Sequence, residues 1–190
     1  QRNMLQIVEK NVSILMRLVN EILDFRKIQN KRMELTLSEF ELTHYLKEWV
    51  STFESIATKR KIKVELITPA PICLCADIYK VERICYNLLS NALKYTSEGG
   101  SITIKAKSTD ETVEICIKDT GKGIAKEDIK HIFDRFYQVK NSNKDGTGIG
   151  LAIVKAFTEL QGGTAKVESE VGKGSEFTIT LPKRVAGDNF

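Results

Sequence analysis

Between Met33 and Leu181 the apolar residues switch repeatedly from alternation to steps of three and four, and few folds accommodate that switching. Alternation at Ile62, Val64 and Leu66, and again through residues 102–107, 112–118, 165–169 and 176–181, predicts strands with one buried face. Residues 33–37 read the same way, as a short strand. Helical spacing at Leu42, Tyr45, Leu46, Trp49, Phe53 and Ile56 predicts a helix. Further helices are expected over about residues 77–96, about 126–136, and from Gly148 onward. Turns fall at Pro69-Ala70-Pro71 and Glu98-Gly99-Gly100, and the polar stretch 138–145 reads as a mobile loop. The pattern is α+β, a two-layer α/β sandwich whose mostly antiparallel sheet is covered by helices on one face.

The chain has a second part. Leu5, Val8, Val12, Leu15, Val19 and Ile22 follow heptad spacing, and Ile7, Ile14, Leu18 and Leu23 widen the face beyond a two-stranded seam. A bundle or coiled-coil helix that needs a partner is expected, a four-helix bundle before a lone zipper; an amphipathic helix lying on its own domain is the other reading. Residues 26–32, polar except for Ile28, form a hinge. The expected organisation is a partial bundle helix over 1–31, one domain over 32–184 and a tail over 185–190. With 190 residues, 42% of them hydrophobic, the chain can bury a core of that size, which rules out disorder.

A net charge of +4 suits anionic ligands, but the basic residues are interspersed with acids, so nucleic acid is not an expected partner. No apolar run approaches the roughly 20 residues that span a bilayer, and the first ten residues lack a signal-peptide pattern. The expectation is a cytoplasmic piece of a longer polypeptide, with any membrane contact made by segments outside it. Cys73, Cys75, Cys85 and Cys116 form no CxxC pair and have no nearby His, so they are expected to be small buried residues in a reducing compartment.

Three constellations carry chemistry. Asn87, Asn91 and Lys94 step by four and three and share one helical face. Two amide oxygens can ligate a hard cation without adding negative charge beside phosphates, and the ammonium can neutralise phosphate oxygens; read alone, the face is equally an ordinary solvated one. Asp119-Thr120-Gly121-Lys122-Gly123-Ile124 follows a strand, so its glycines let backbone approach a ligand while the carboxylate accepts from an amino group; an Asp-Gly turn without a ligand is the plainer reading. Gly146-Thr147-Gly148-Ile149-Gly150-Leu151 opens a helix, whose N-terminal amides favour phosphate, yet it is neither a Walker loop nor a Rossmann fingerprint.

These three in this order, with Phe133-Asp134-Arg135-Phe136 between the last two, resemble the N, G1, F and G2 boxes of sensor histidine kinases of two-component systems, whose ATP-binding domain has the Bergerat (GHKL) fold. Gly172-Lys173-Gly174-Ser175 is similar to that family's closing GxGT motif, with Ser for Thr, and residues 18–31 resemble the end of the second dimerisation helix. In character the chain is most similar to the hybrid sensor kinases of Bacteroides-type bacteria.

The resemblance implies ATP and Mg²⁺ as cofactors. It implies that Asn91 binds Mg²⁺ with Asn87 helping, that Lys94 and Arg135 hold the terminal phosphates, and that Tyr95 packs beside adenine or ribose. It implies that Asp119 reads adenine N6, that Gly121 and Gly123 make room for the base, and that Gly146, Gly148 and Gly150 with the amides of Ile149 and Leu151 cradle phosphates. Ile124 and Thr147 complete the binding set, and residues 138–145 would be a lid over ATP. Related gyrase-type and chaperone ATPases carry a water-activating glutamate where this chain has Asn87, which cannot serve as that base; the change argues for phosphoryl transfer to a protein over hydrolysis.

The family's phosphoacceptor histidine has no counterpart here. His44 lies on the helix of the ATP domain and His131 just before the F-like motif, and both are expected to be surface or capping residues. The acceptor is expected upstream of Gln1, so this chain should bind ATP without labelling itself. Implied partners are a second copy, through the helical hairpin of the full-length protein, and a response-regulator receiver domain. The rivals are another Bergerat-fold ATPase or serine kinase, disfavoured by the heptads and Asn87, and a degenerate module that binds no nucleotide.

Overall fold

The computed structural model describes residues 33–139 and 147–185, together with Val12, Val19, Leu23 and Arg26, which are helical and exposed. The heptad reading of residues 1–31 otherwise lies outside the described residues, as do the expected tail past Val185 and all but Gln138 and Val139 of the expected lid.

The elements run β1 (Ser38–Glu41), α1 (Leu42–Lys59), β2 (Lys63–Ile67), β3 (Cys73–Ala76), α2 (Ile78–Tyr95), β4 (Ser101–Ser108), β5 (Thr112–Asp119), α3 (Lys126–Ile129), α4 (Gly150–Leu160), β6 (Thr164–Glu170) and β7 (Gly174–Pro182). Five strands form one sheet in the order β2-β4-β5-β7-β6, and β1 pairs with β3 in a separate ribbon. Among the strands of that sheet β2 and β4 alone run parallel, which their sequence separation through α2 permits. Alternation decides the faces: Ile102, Ile104, Val113, Ile115, Ile117, Phe177, Ile179 and Leu181 are buried beneath the helices, while Lys105, Lys107 and Lys118 face outward. Leu42 and Leu46 of α1, Ile84, Leu88 and Leu89 of α2, and Ile153 of α4 close the core from the helical layer. Each such side chain stabilises the fold by roughly 1.5–3 kcal/mol.

The expected α+β sandwich is therefore the observed one, with four local differences. Residues 33–37 form no strand: Met33, Leu35 and Leu37 pack against the core as their alternation requires, but the Thr36 N–H donates to the Asp77 carboxylate at 2.9 Å instead of to a neighbouring strand. Two strands were not expected: β1, which lies just past residues 33–37, and β3, which carries no alternation, three of its four residues being buried. The helix expected over 126–136 stops at Ile129, after which His131 and Asp134 make tighter bonds to the carbonyls three residues back. Packing of Ile132 into the core and of the Phe133 ring against Phe177, 6.4 Å between centroids, outweighs helical continuation there. The last helix begins at Gly150, because Gly148 has φ +70° and cannot be helical. Of the cysteines, three are buried as expected and Cys73 is exposed at the first position of β3.

Candidate functional site

Helix α2 forms one wall of a cleft. Its N-terminus is fixed by Asp77, 1% exposed, whose carboxylate accepts the Lys80 N–H at 3.2 Å and the Lys80 ammonium at 2.5 Å, while the Asp77 N–H donates to the Gln161 side chain at 2.9 Å. Its C-terminus is fixed by Arg60, whose guanidinium donates to the carbonyls of Leu93 and Thr96. Between these anchors Asn87, Asn91 and Lys94 face the cleft together, as their spacing predicts. Asn87 donates from Nδ2 to the Arg83 carbonyl at 2.9 Å, which turns Oδ1 toward the start of α4; a Cβ on Gly150 would lie 2.9 Å from that oxygen.

The floor is Asp119, the last residue of β5, which sits between β4 and β7. It is 5% exposed, and the Gly121 N–H donates to its Oδ1 at 2.8 Å. Burial pushes its carboxyl above the usual range, and the backbone amides of Gly121 and Ser175 pull the other way without cancelling it. The loop that follows is held to the β6–β7 turn. Ile124 N–H donates to the Ser169 hydroxyl at 2.8 Å, that hydroxyl donates to the Gly174 carbonyl at 2.8 Å, and the Gly172 N–H donates to the Lys122 carbonyl at 2.8 Å. Gly123 has φ +70° and a Cβ there would come within 2.0 Å of the Glu170 carbonyl oxygen, so only glycine fits.

The third wall is the N-terminus of α4. This eleven-residue helix has no side-chain cap and no acidic residue in its first turn, so the first-turn amides and the helix dipole are available to an anion. Gly148 stands against Phe136: a Cβ would lie 2.6 Å from its carbonyl carbon, and the Phe136 N–H donates to the Gly148 carbonyl at 2.9 Å. Phe136 itself has φ +58° and is 67% exposed.

The cleft enclosed by these elements measures about 200 Å³. Asn87, Asn91, Lys94, Tyr95, Asp119, Gly123, Ile124, Thr147, Gly148, Gly150 and Leu151 line it. Gly121 and Ile149 are buried behind its surface, Gly121 against the Tyr95 carbonyl. Arg135 lines a separate depression with Phe133, Lys155 and Glu159, and Gly146 lies outside the described residues. Gln138 and Val139, the first residues of the expected lid, line the cleft too, and sequence reasoning missed Ser90, Ala92, Lys122, Ile132, Tyr137, Ser175 and Phe177 as lining residues. Ser175 was discoverable, since its place at the start of β7 puts it opposite Asp119 in register. Neither histidine lines the cleft: His44 is exposed beside Glu48 at 3.4 Å, and His131 is exposed with Nδ1 2.8 Å from Asp134.

Among the described residues no cluster of three or more His, Cys, Asp or Glu side chains could hold a metal. A cation here would have the Asn87 and Asn91 amide oxygens and the oxygens of its own ligand. That donor set fits Mg²⁺, which characteristically takes few protein ligands and shares phosphates. No described helix is long and apolar enough to cross a membrane.

Comparison with known proteins agrees with this arrangement. Residues 76–185, more than half of the chain, match the family described as histidine kinase-, DNA gyrase B- and HSP90-like ATPases. Histidine kinase P4 of Formosa agariphila is 36% identical over 186 residues, covering 94% of this chain and 14% of that protein. The crystal structure of full-length ShkA in complex with AMPPNP superposes with a TM-score of 0.86 at 29% identity, over 98% of this chain and 40% of that one. The histidine kinase ThkA, in a crystal structure with the response regulator TrrA, superposes with a TM-score of 0.75 at 25% identity, over 93% of this chain and 49% of that one. The chain thus spans only a part of each of these relatives.

Proposed function

Since the chain belongs to the family of histidine kinase-, DNA gyrase B- and HSP90-like ATPases, we propose that it is the ATP-binding catalytic domain of a two-component sensor histidine kinase. Its reaction is transfer of the γ-phosphate of ATP to a histidine on a helical hairpin, for relay to a response-regulator aspartate. The observation that carries this reading is the buried Asp119 carboxylate at the floor of a cleft whose other walls are cationic and amide-rich. A carboxylate with Oδ1 held by the Gly121 N–H offers its remaining acceptor capacity to an amino group, which adenine N6 supplies and guanine, with a carbonyl there, does not.

Each wall then has a task. The first-turn amides of α4 receive phosphate oxygens, and Lys94 neutralises them. Asn87 and Asn91 would hold Mg²⁺, which when bound supplies charge neutralisation and alignment of the phosphates. Asn87 is an amide and takes no proton from water, so the site lacks the general base that hydrolysis would need there. Catalysis rests on positioning and charge, which suits a protein nucleophile brought to the cleft mouth. The assignment of terminal phosphate contacts rests on Lys94, since Arg135 faces a different depression. Partnership with a receiver domain is supported by the ThkA complex with its response regulator, and a dimer through the helical hairpin completes the proposal.

Calorimetric titration of the chain with ATP and with GTP, each with Mg²⁺, tests the reading. Saturable binding of ATP, with GTP at least about tenfold weaker as expected when a buried acceptor is left unpaired, is the predicted result. Equal binding of both, or of neither, would sink it.

A further inference from the structure

Lys122 has no role in the reading above, yet the structure holds it in place. Its N–H donates to the Tyr95 carbonyl at 3.3 Å, and its carbonyl accepts from the Gly172 N–H at 2.8 Å. From that fixed backbone the side chain reaches over Tyr95, with Nζ 4.7 Å from the ring centroid. Lys94, coming from the last turn of α2, places its Nζ 5.1 Å from the same centroid. Two ammonium groups from different elements therefore share one aromatic ring, and both line the cleft.

Like charges brought together need a reason. Among the described residues Lys61, Lys63, Lys107, Lys118, Lys155 and Lys173 each lie within 3.9 Å of a carboxylate, while the exposed Lys47, Lys59, Lys105, Lys126, Lys130 and Lys166 do not. A missing partner alone therefore marks no site, and the shared ring at the cleft is what sets Lys94 and Lys122 apart. Among the described residues neither Lys94 nor Lys122 has a carboxylate partner. The ring's quadrupole holds each cation in position but neutralises neither. The pair is thus a preset, uncompensated double positive charge at a cleft already suited to a nucleotide.

We propose that Lys122 is a second phosphate-binding cation of this site, and that Tyr95 is the spacer that sets Lys122 and Lys94 apart so that both engage the polyphosphate. The proposal rests on the nucleotide reading and adds a residue to it. The chain, Lys122→Met and Lys122→Arg are titrated with adenosine, ADP and ATP at low and moderate salt, with unfolding midpoints measured alongside. Methionine keeps an apolar stem on Tyr95 and removes only the charge.

The expected result is that Lys122→Met weakens ATP about fivefold, the scale of one solvent-screened charge pair, while adenosine changes less than about twofold. Its ATP affinity also depends less steeply on salt, and Lys122→Arg restores both properties. Unchanged ATP affinity would overturn the proposal, as would an equal loss for adenosine and ATP, or a lowered unfolding midpoint that accounts for the loss. If the unaltered chain binds adenosine and ATP, each of those outcomes leaves the nucleotide reading standing. If it binds neither, that reading falls and the role of Lys122 with it.

Discussion

Replacing Asp119 with Asn should separate what the ligand needs from what the fold tolerates. In the folded chain Oδ1 accepts the Gly121 N–H at 2.8 Å, so an asparagine fitted to the same bond keeps its oxygen there and turns its NH₂ toward the ligand. That group meets adenine N6, itself a donor, and the pair has no acceptor; the flipped amide would instead set its NH₂ against the Gly121 N–H. One charge-assisted hydrogen bond is lost either way, about 1.5–3 kcal/mol or roughly 10- to 150-fold in affinity. Stability goes the other way. Burial raises the Asp119 carboxyl, so its titration contributes stability that is complete below its ordinary value of 3.8 and is lost as pH rises through the higher folded value. At pH 8 the folded protein carries a buried charge that the neutral amide lacks, and Asp119→Asn should unfold no earlier than the parent. That relative advantage should shrink as the pH falls toward 4. Calorimetry with ATP and urea unfolding at pH 8 and pH 4.5 read the two effects. ATP affinity within threefold of the parent, or a clear loss of stability at pH 8, would refute the reasoning.

Gly148→Ala should cost about 1–2 kcal/mol from its φ of +70° alone, and more from the 2.6 Å approach to Phe136, so its thermal midpoint and ATP affinity should fall together; an unchanged midpoint would mean the loop is not held as described. Asp77→Ala removes the acceptor of the Thr36 N–H, the Lys80 N–H and the Lys80 ammonium at a residue 1% exposed, and should lower stability by about 3 kcal/mol in denaturant, with less than 1 kcal/mol counting against its role as the anchor of α2. Burial pushes the Cys85 thiol to about 12 and the Cys116 thiol to about 11, so at pH 8 neither supplies appreciable thiolate. Brief alkylation of the native chain followed by mass spectrometry should show one adduct, at exposed Cys73; rapid labelling of Cys85 or Cys116 would contradict the packing.

The helix α2 could be read from the sequence almost to the residue because its apolar face and its Asn87, Asn91 and Lys94 face share one period. The sheet strands were equally legible, each having one wet face. Legibility failed where tertiary contacts replaced a local rule. Residues 33–37 alternate like a strand but spend their backbone on Asp77, and residues 130–136 leave the helix to pack Ile132 and Phe133. The site showed the same division. Asp119 and the glycines advertise themselves, since few residues have their properties. Lys122 and Tyr137 look like surface residues in one dimension, and only the closure of the β5 loop and the turn at Phe136 bring them to the cleft.

The loop after β5 and the β6–β7 turn meet through main chain. A Cβ on Gly174 would stand 1.9 Å from the Asp119 carbonyl oxygen, one on Gly123 2.0 Å from that of Glu170, and Gly172 bonds to the Lys122 carbonyl. Contacts of this kind count residues without identifying them. The side chain of Val171, 66% exposed, is open to replacement, but one residue added beside it displaces the turn by about 3.3 Å, more than a hydrogen bond survives. The turn between β4 and β5 is bonded through main chain as well, the Thr109 N–H donating to the Thr112 carbonyl at 2.8 Å and the Lys183 N–H to the Glu111 carbonyl at 2.8 Å. It lies, however, at the end of β5 opposite Asp119 and touches no part of the cleft. A reporter or a fused domain therefore belongs at Asp110 and not at Val171, although both are solvent-facing turns.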